Sequence, residues 1–188
     1  MQAVREFSEA AKYDWPVARG DLVVDVGAYE GNWTREMVKR YECQVWAFEP
    51  VFFDLAKADQ SPLVTVFPAA LGHEPDVQKW CVKGDMTGKY LGEGNHTQSV
   101  TVLPVSVLYA WSRIKVLKLN CEGGEYDILN QLICDDKIKL FDHFLIQWHH
   151  VVGAKAFEPM HDLIRSHMAK THALLFDAPW CWEGWGRK

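Results

Sequence analysis

The segment Leu22–Pro50 constrains the fold of this chain more than any other. It opens on a short apolar run, Leu22-Val23-Val24, that carries Asp25 near its end, and then turns through Gly27-Ala28-Tyr29-Glu30-Gly31. Apolar residues without alternation suit a strand buried on both faces of a parallel sheet. Glycines at 27 and 31 allow a tight turn and bring backbone N–H groups close to a bound molecule. A helix is expected over about Asn32 to Tyr41, with Asn32 as its cap, and a second strand over Gln44 to Phe48, closed by Glu49-Pro50.

Glu49 follows Gly27 by 22 residues, near the spacing at which an acid ending a second strand accepts hydrogen bonds from ribose hydroxyls. That points to a nucleoside. A dinucleotide site needs G-x-G-x-x-G, whose middle glycine clears space for a pyrophosphate. Here Ala28 and Tyr29 follow Gly27, so a nucleoside with an amino-acid tail, S-adenosylmethionine, fits better than NAD. An NAD-dependent oxidoreductase with an atypical loop is the weaker enzymatic alternative.

Four stretches, two of them within Leu22–Pro50, carry a resemblance. Asp25-Val26-Gly27-Ala28-Tyr29-Glu30-Gly31-Asn32-Trp33-Thr34, then Ala47-Phe48-Glu49-Pro50, then Pro68-Ala69-Ala70-Leu71, then Leu117-Lys118-Leu119-Asn120-Cys121-Glu122-Gly123-Gly124-Glu125 occur in this order. Together they resemble the FkbM family of S-adenosylmethionine-dependent methyltransferases, from about Leu22 to about His149. The resemblance implies a Rossmann-like class I methyltransferase. Its α/β fold would be a doubly wound, mostly parallel sheet of about seven strands, and its activity methyl transfer to a hydroxyl of a sugar or secondary metabolite. It also implies that the small residues Ala69 and Ala70 lie against the adenine ring.

At 188 residues, 48% of them apolar and 24% charged, one domain with an adequate core is expected over 1–188. Within it, 1–20 reads as a short lead-in, 76–107 as an inserted β-hairpin with a glycine-rich tip, and 172–188 as a closing hairpin. In relatives a longer amino-terminal portion often covers the acceptor. Its brevity here leaves that side open or hands its cover to a second copy, so a homo-oligomer is compatible. Phe52 to Ala58 reads as a helix, Val64 to Phe67 as strand three, Ile114 to Leu119 as strand four beside strand one, and Phe144 to Trp148 as strand five. The five cysteines are an odd number without a close pair and no charged-then-apolar leader opens the chain, so a cytoplasmic setting is expected. No apolar run approaches the roughly 20 residues of a membrane span, so no membrane partner is expected. The net charge of −5 and the scattered Lys and Arg argue for a small-molecule or saccharide acceptor and against nucleic acid.

In a doubly wound sheet ligands lie beyond the carboxyl ends of the strands. The expected cofactor-binding residues are therefore Asp25, Gly27, Ala28, Tyr29, Gly31, Glu49, Pro50, Ala69, Ala70 and Asn120. A hydroxyl acceptor must lose its proton, and a histidine with a pKa near about 6.5 is suited to take it. His149 is accordingly the expected general base, with Glu122 as second candidate or orienting partner; a strand-end histidine satisfied by backbone bonds is the competing reading. Relatives carry aspartate where Asn120 stands, and an acid often ends strand five where Gln147 stands. An amide cannot act as a base, so a cofactor-binding subunit without catalysis is a second alternative. The histidines show no ligand spacing, and no metal is expected.

Overall fold

The computed structural model describes residues 4–51, 61–83, 86–88, 96–149 and 154–188. Its centre is β2 (Leu22–Val26), in which every residue is buried. On one side β2 pairs in parallel with β3 (Gln44–Phe48), which pairs in parallel with β4 (Val64–Phe67). On the other side it pairs in parallel with β9 (Ile114–Leu119), and β9 with β10 (Phe141–Gln147). Beyond β10 the direction reverses. The strand β12 (Trp182–Arg187) runs antiparallel to β10 and to β11 (His172–Ala178), and the two-residue β1 (Arg5–Glu6) completes the edge. The order is β1-β11-β12-β10-β9-β2-β3-β4, the mostly parallel sheet that the sequence predicts.

Alternation along the strands sends side chains to two cores, one on each face of the sheet. Val23, Val45 and Val116 face the helix α1 (Asn32–Tyr41) and its buried Trp33 and Met37. Val24, Leu117 and Phe144 face α2 (Gly124–Cys134), which buries Tyr126, Ile128, Leu129 and Leu132. The helix α3 (Ala154–Met168) adds Ile164 and Met168 to this second core. Each fully buried aliphatic or aromatic side chain contributes roughly 1.5–3 kcal/mol relative to exposure, so the two cores hold the sheet between its helices. Among the described residues no helix is long and apolar enough to cross a membrane.

The expected hairpin is present as β6 (Asp76–Lys83) and β8 (His96–Pro104), paired antiparallel, but it belongs to a second sheet. β5 (Ala70–Gly72) pairs in parallel with β8, and β7 (Met86–Gly88) flanks β6, in the order β5-β8-β6-β7. The Pro68–Leu71 stretch therefore does more than end the third strand: the chain turns, with Ala69 N–H donating to Phe67 O, and starts a new sheet at Ala70. The helix expected over Phe52 to Ala58, and residues 84–85 and 89–95 of the expected glycine-rich tip, lie outside the described residues.

At the amino end of β10, far along the strand from its carboxyl terminus, Asp142 is 2% exposed. Arg113 Nη2 and Lys115 Nζ lie 2.7 and 3.2 Å from its Oδ2. Burial alone would raise its pKa, but the hydrogen bonds and charges of these two residues outweigh burial and lower it. A carboxylate with a lowered folded pKa adds stability above its unfolded pKa near about 3.9, and that stability is lost as pH falls through the folded value. Asp142→Asn should therefore lower the unfolding free energy by about 1.5–3 kcal/mol at pH 7. In urea titrations the gap from wild type should close as pH falls below about 4. A gap unchanged at acid pH would remove charge as its cause.

Candidate active site

The turn after β2 is held mostly by the protein itself. Gly27 has φ 73° and Gly31 φ 77°, where a side chain is strained. A Cβ on Gly27 would also stand 1.7 Å from the carbonyl oxygen of Asn120, so this glycine lets the end of β9 approach. Gly27 and Ala28 both donate N–H to Phe48 O (3.0 and 3.2 Å), and Gly31 donates to Ala28 O (2.8 Å). The expectation that these glycine-turn amides are bare for a ligand is corrected: those of Gly27 and Ala28 bind the turn to the end of β3, and that of Gly31 closes the turn on itself. Asn32 is not the helix cap either. Gly31 takes the cap position, and the Asn32 Oδ1 accepts from Arg35.

Asp25 does not reach the crevice, which corrects its expected role in cofactor contact. Strand alternation puts it on the face of Val23, under α1, where it is fully buried. Its Oδ2 accepts from the Thr34 hydroxyl (2.7 Å) and its Oδ1 from Lys118 Nζ (2.7 Å), the residue paired with it across β2 and β9. Lys118 also donates to Gly27 O (2.7 Å). The buried pair thus anchors the turn from below.

Beyond the carboxyl ends of β2, β3 and β9 lies a cavity of about 200 Å³. Of the expected residues, Gly27, Tyr29, Glu49, Pro50, Ala70, Asn120 and Glu122 line it; Asp25, Ala28, Gly31, Ala69 and His149 do not. Val26, Phe48, Leu71, Trp80, Cys121 and Gly124 complete its wall without having been expected there. Tyr29 (φ 51°) and Glu122 (φ 52°) adopt left-handed backbone, which costs a non-glycine residue about 1–2 kcal/mol and persists where the surroundings over-determine it. Glu49 is 6% exposed. Its Oε2 accepts from Tyr29 N–H and its Oε1 from Val51 N–H, both at 3.0 Å, which fixes the carboxylate at the cavity wall.

A second cavity of about 490 Å³ shares Leu71, Trp80, Cys121, Glu122 and Gly124 with the first and continues toward Glu74, Asp76 and Asp127. Glu122 therefore borders both. Behind it stands His149, whose Nε2 lies 3.4 Å from Glu122 Oε1 and whose Nδ1 lies 3.0 Å from Glu125 Oε1. Burial of the ring opposes its protonation. The hydrogen bond to Glu125 and the charges of Glu125 and Glu122 outweigh that, and the pKa of His149 is raised from 6.5. Burial, reinforced by Glu125, pushes the Cys121 thiol well above its ordinary pKa, so Cys121 is a wall residue and not a thiolate nucleophile. Glu125 and Lys118 belong to the motif that carries the resemblance, but neither is among the expected site residues. Their signal is an acid in the first turn of the following helix and a lysine near the carboxyl end of a mostly apolar strand.

The family model described as "Methyltransferase FkbM domain" matches residues 25–175. Among solved structures, a protein from Clostridium thermocellum provisionally described as an rRNA-methylase is 12% identical at a TM-score of 0.50, over 91% of this chain and 88% of that one. The 23S rRNA methyltransferase ErmE is 12% identical at 0.49, over 97% of this chain and 69% of that one. The cyclopropane synthase MmaA2 from Mycobacterium tuberculosis is 10% identical at 0.44, over 88% and 60%. No curated protein sequence matches the chain. The first likeness shows the fold. It also corrects the expectation that nucleic acid plays no part: a protein of this fold carries an rRNA-methylase description. Net charge bears on non-specific attraction to a phosphate backbone, not on whether a crevice admits one nucleotide. With the family model spanning most of its length, the chain belongs to the FkbM methyltransferase family.

Proposed function

We propose that this protein is an S-adenosylmethionine-dependent methyltransferase acting on a hydroxyl of a sugar or small metabolite. The observation that carries the reading is Glu49, a carboxylate pinned by two backbone amides at the wall of the strand-end cavity. The residues present fit the cofactor. A carboxylate accepts through both of its oxygens, and an acid at the end of the second strand is suited to receive ribose hydroxyls. Phe48, Ala70 and Leu71 give an apolar surface for the adenine, and the Asn120 amide can both donate to and accept from the amino-acid end.

When bound, S-adenosylmethionine supplies a methyl group activated on a sulfonium. The chain's part is to hold the acceptor oxygen in line, exclude water and remove the hydroxyl proton. Glu122 faces the cavities and His149 Nε2 stands behind it, so the proton taken from the acceptor passes through Glu122 and rests on the imidazole. Asn120 does not have to act as a base in this arrangement.

Titration calorimetry with S-adenosylmethionine and S-adenosylhomocysteine tests the cofactor site. Glu49→Ala should weaken both by about 1–3 kcal/mol, the cost of leaving partly buried donors unpaired. Affinity equal to wild type would exclude Glu49 from the site, and NAD binding in place of both ligands would overturn the reading.

A further inference from the structure

Glu125 lies in the first turn of α2, is fully buried and borders neither cavity. Burying a carboxylate is costly unless its charge is met. Glu125 is met from two directions. Its Oε2 accepts from Gly123 N–H (3.0 Å) and stands 3.5 Å from Cys121 Sγ, contacts that any acid at a helix start could make. Its Oε1 accepts the backbone N–H of His149 (2.9 Å) and lies 3.0 Å from Nδ1 of the same residue, 24 positions away at the end of β10. Helix capping does not account for this second pair of contacts.

We propose that Glu125 is the positioning residue of the proton-transfer pair. It holds His149 as the Nδ1–H tautomer and turns the Nε2 lone pair toward Glu122 and the acceptor. This rests on the function proposed above. A neutral imidazole has one donor nitrogen and one acceptor nitrogen. A carboxylate oxygen faces each ring nitrogen, but Glu125 Oε1 lies at hydrogen-bond distance from Nδ1 (3.0 Å) and Glu122 Oε1 stands farther from Nε2 (3.4 Å), so Nδ1 is the donor and Nε2 is left to receive the proton. The backbone N–H of His149 on the same oxygen fixes where the ring hangs from the strand. Among the described residues, the charged groups acting on the ring are Glu125 and Glu122, which favour its protonation, and Lys118, which disfavours it.

Nitrogen-15 NMR of the imidazole in the full chain, assigned by difference from His149→Gln, tests this without any acceptor. In wild type above the His149 pKa, Nδ1 should carry the proton. In Glu125→Gln the tautomers should mix and the His149 pKa should fall. Turnover in that variant should drop at least about tenfold with KM little changed, and the acid limb of kcat/KM should move to lower pH. An Nε2–H tautomer in wild type, or a His149 pKa unchanged in Glu125→Gln, overturns the proposal. The wild-type measurement decides even if the variant does not fold. Absence of turnover by wild type on every acceptor would instead sink the functional reading, while the ring's tautomer would still report on Glu125.

Discussion

Lys118→Met should lower the unfolding free energy by about 3–5 kcal/mol, because it leaves a buried carboxylate without its counter-charge. Asp25 is fully buried and, among the described residues, keeps the Thr34 hydroxyl alone once Nζ is gone. Methionine preserves the length and apolar stem of the lysine, so lost packing contributes little. The paired variant Asp25→Leu with Lys118→Met should recover much of the loss, since neither charge then remains to be desolvated. Urea unfolding of the three proteins decides the matter. If the single variant stays within about 1 kcal/mol of wild type, the pair is not what holds the sheet centre. The single variant should also bind S-adenosylhomocysteine more weakly, because Lys118 donates to Gly27 O and fixes the turn that walls the cavity.

His149→Ala is expected to lower kcat by roughly 10²–10⁴-fold, the usual contribution of a positioned acid or base. Cofactor affinity should change little, as His149 does not line the cofactor cavity. The wild-type pH profile carries a sign. A base must be deprotonated to act, and the pKa of His149 is raised, so kcat/KM should climb with pH through a midpoint above about 6.5. That limb should vanish in the variant. A variant with full activity, or a rising limb that survives in it, would clear His149 of the role.

Much of this fold was legible in the residues. The helix Asn32–Tyr41 and the strands on either side of it follow from two apolar runs and a glycine turn, and Ile114–Leu119 does lie beside β2. Family resemblance and the spacing of Glu49 pointed to the crevice. Less visible was which way a side chain faces at a strand end. Asp25 stands where a ligand contact is expected, yet it is two positions from Val23 and shares its face, so it meets α1 and Lys118 instead. The second sheet was read only as a hairpin because β5 has three residues and pairs with Val102–Pro104, far along the chain. No local pattern announces such a pairing. The role of Glu125 is hidden for a similar reason: it sits on a helix and its partner, His149, follows a strand 24 positions on.

The Lys118–Asp25 contact joins positions 93 apart in the chain. While the protein is being synthesised, β2, α1, β3 and β4 emerge long before β9. Until β9 arrives, one side of β2 is an apolar strand edge with open backbone groups, the kind of surface that recruits other chains. The binding crevice and protection from aggregation therefore come into being in the same event, when β9 slots in beside β2.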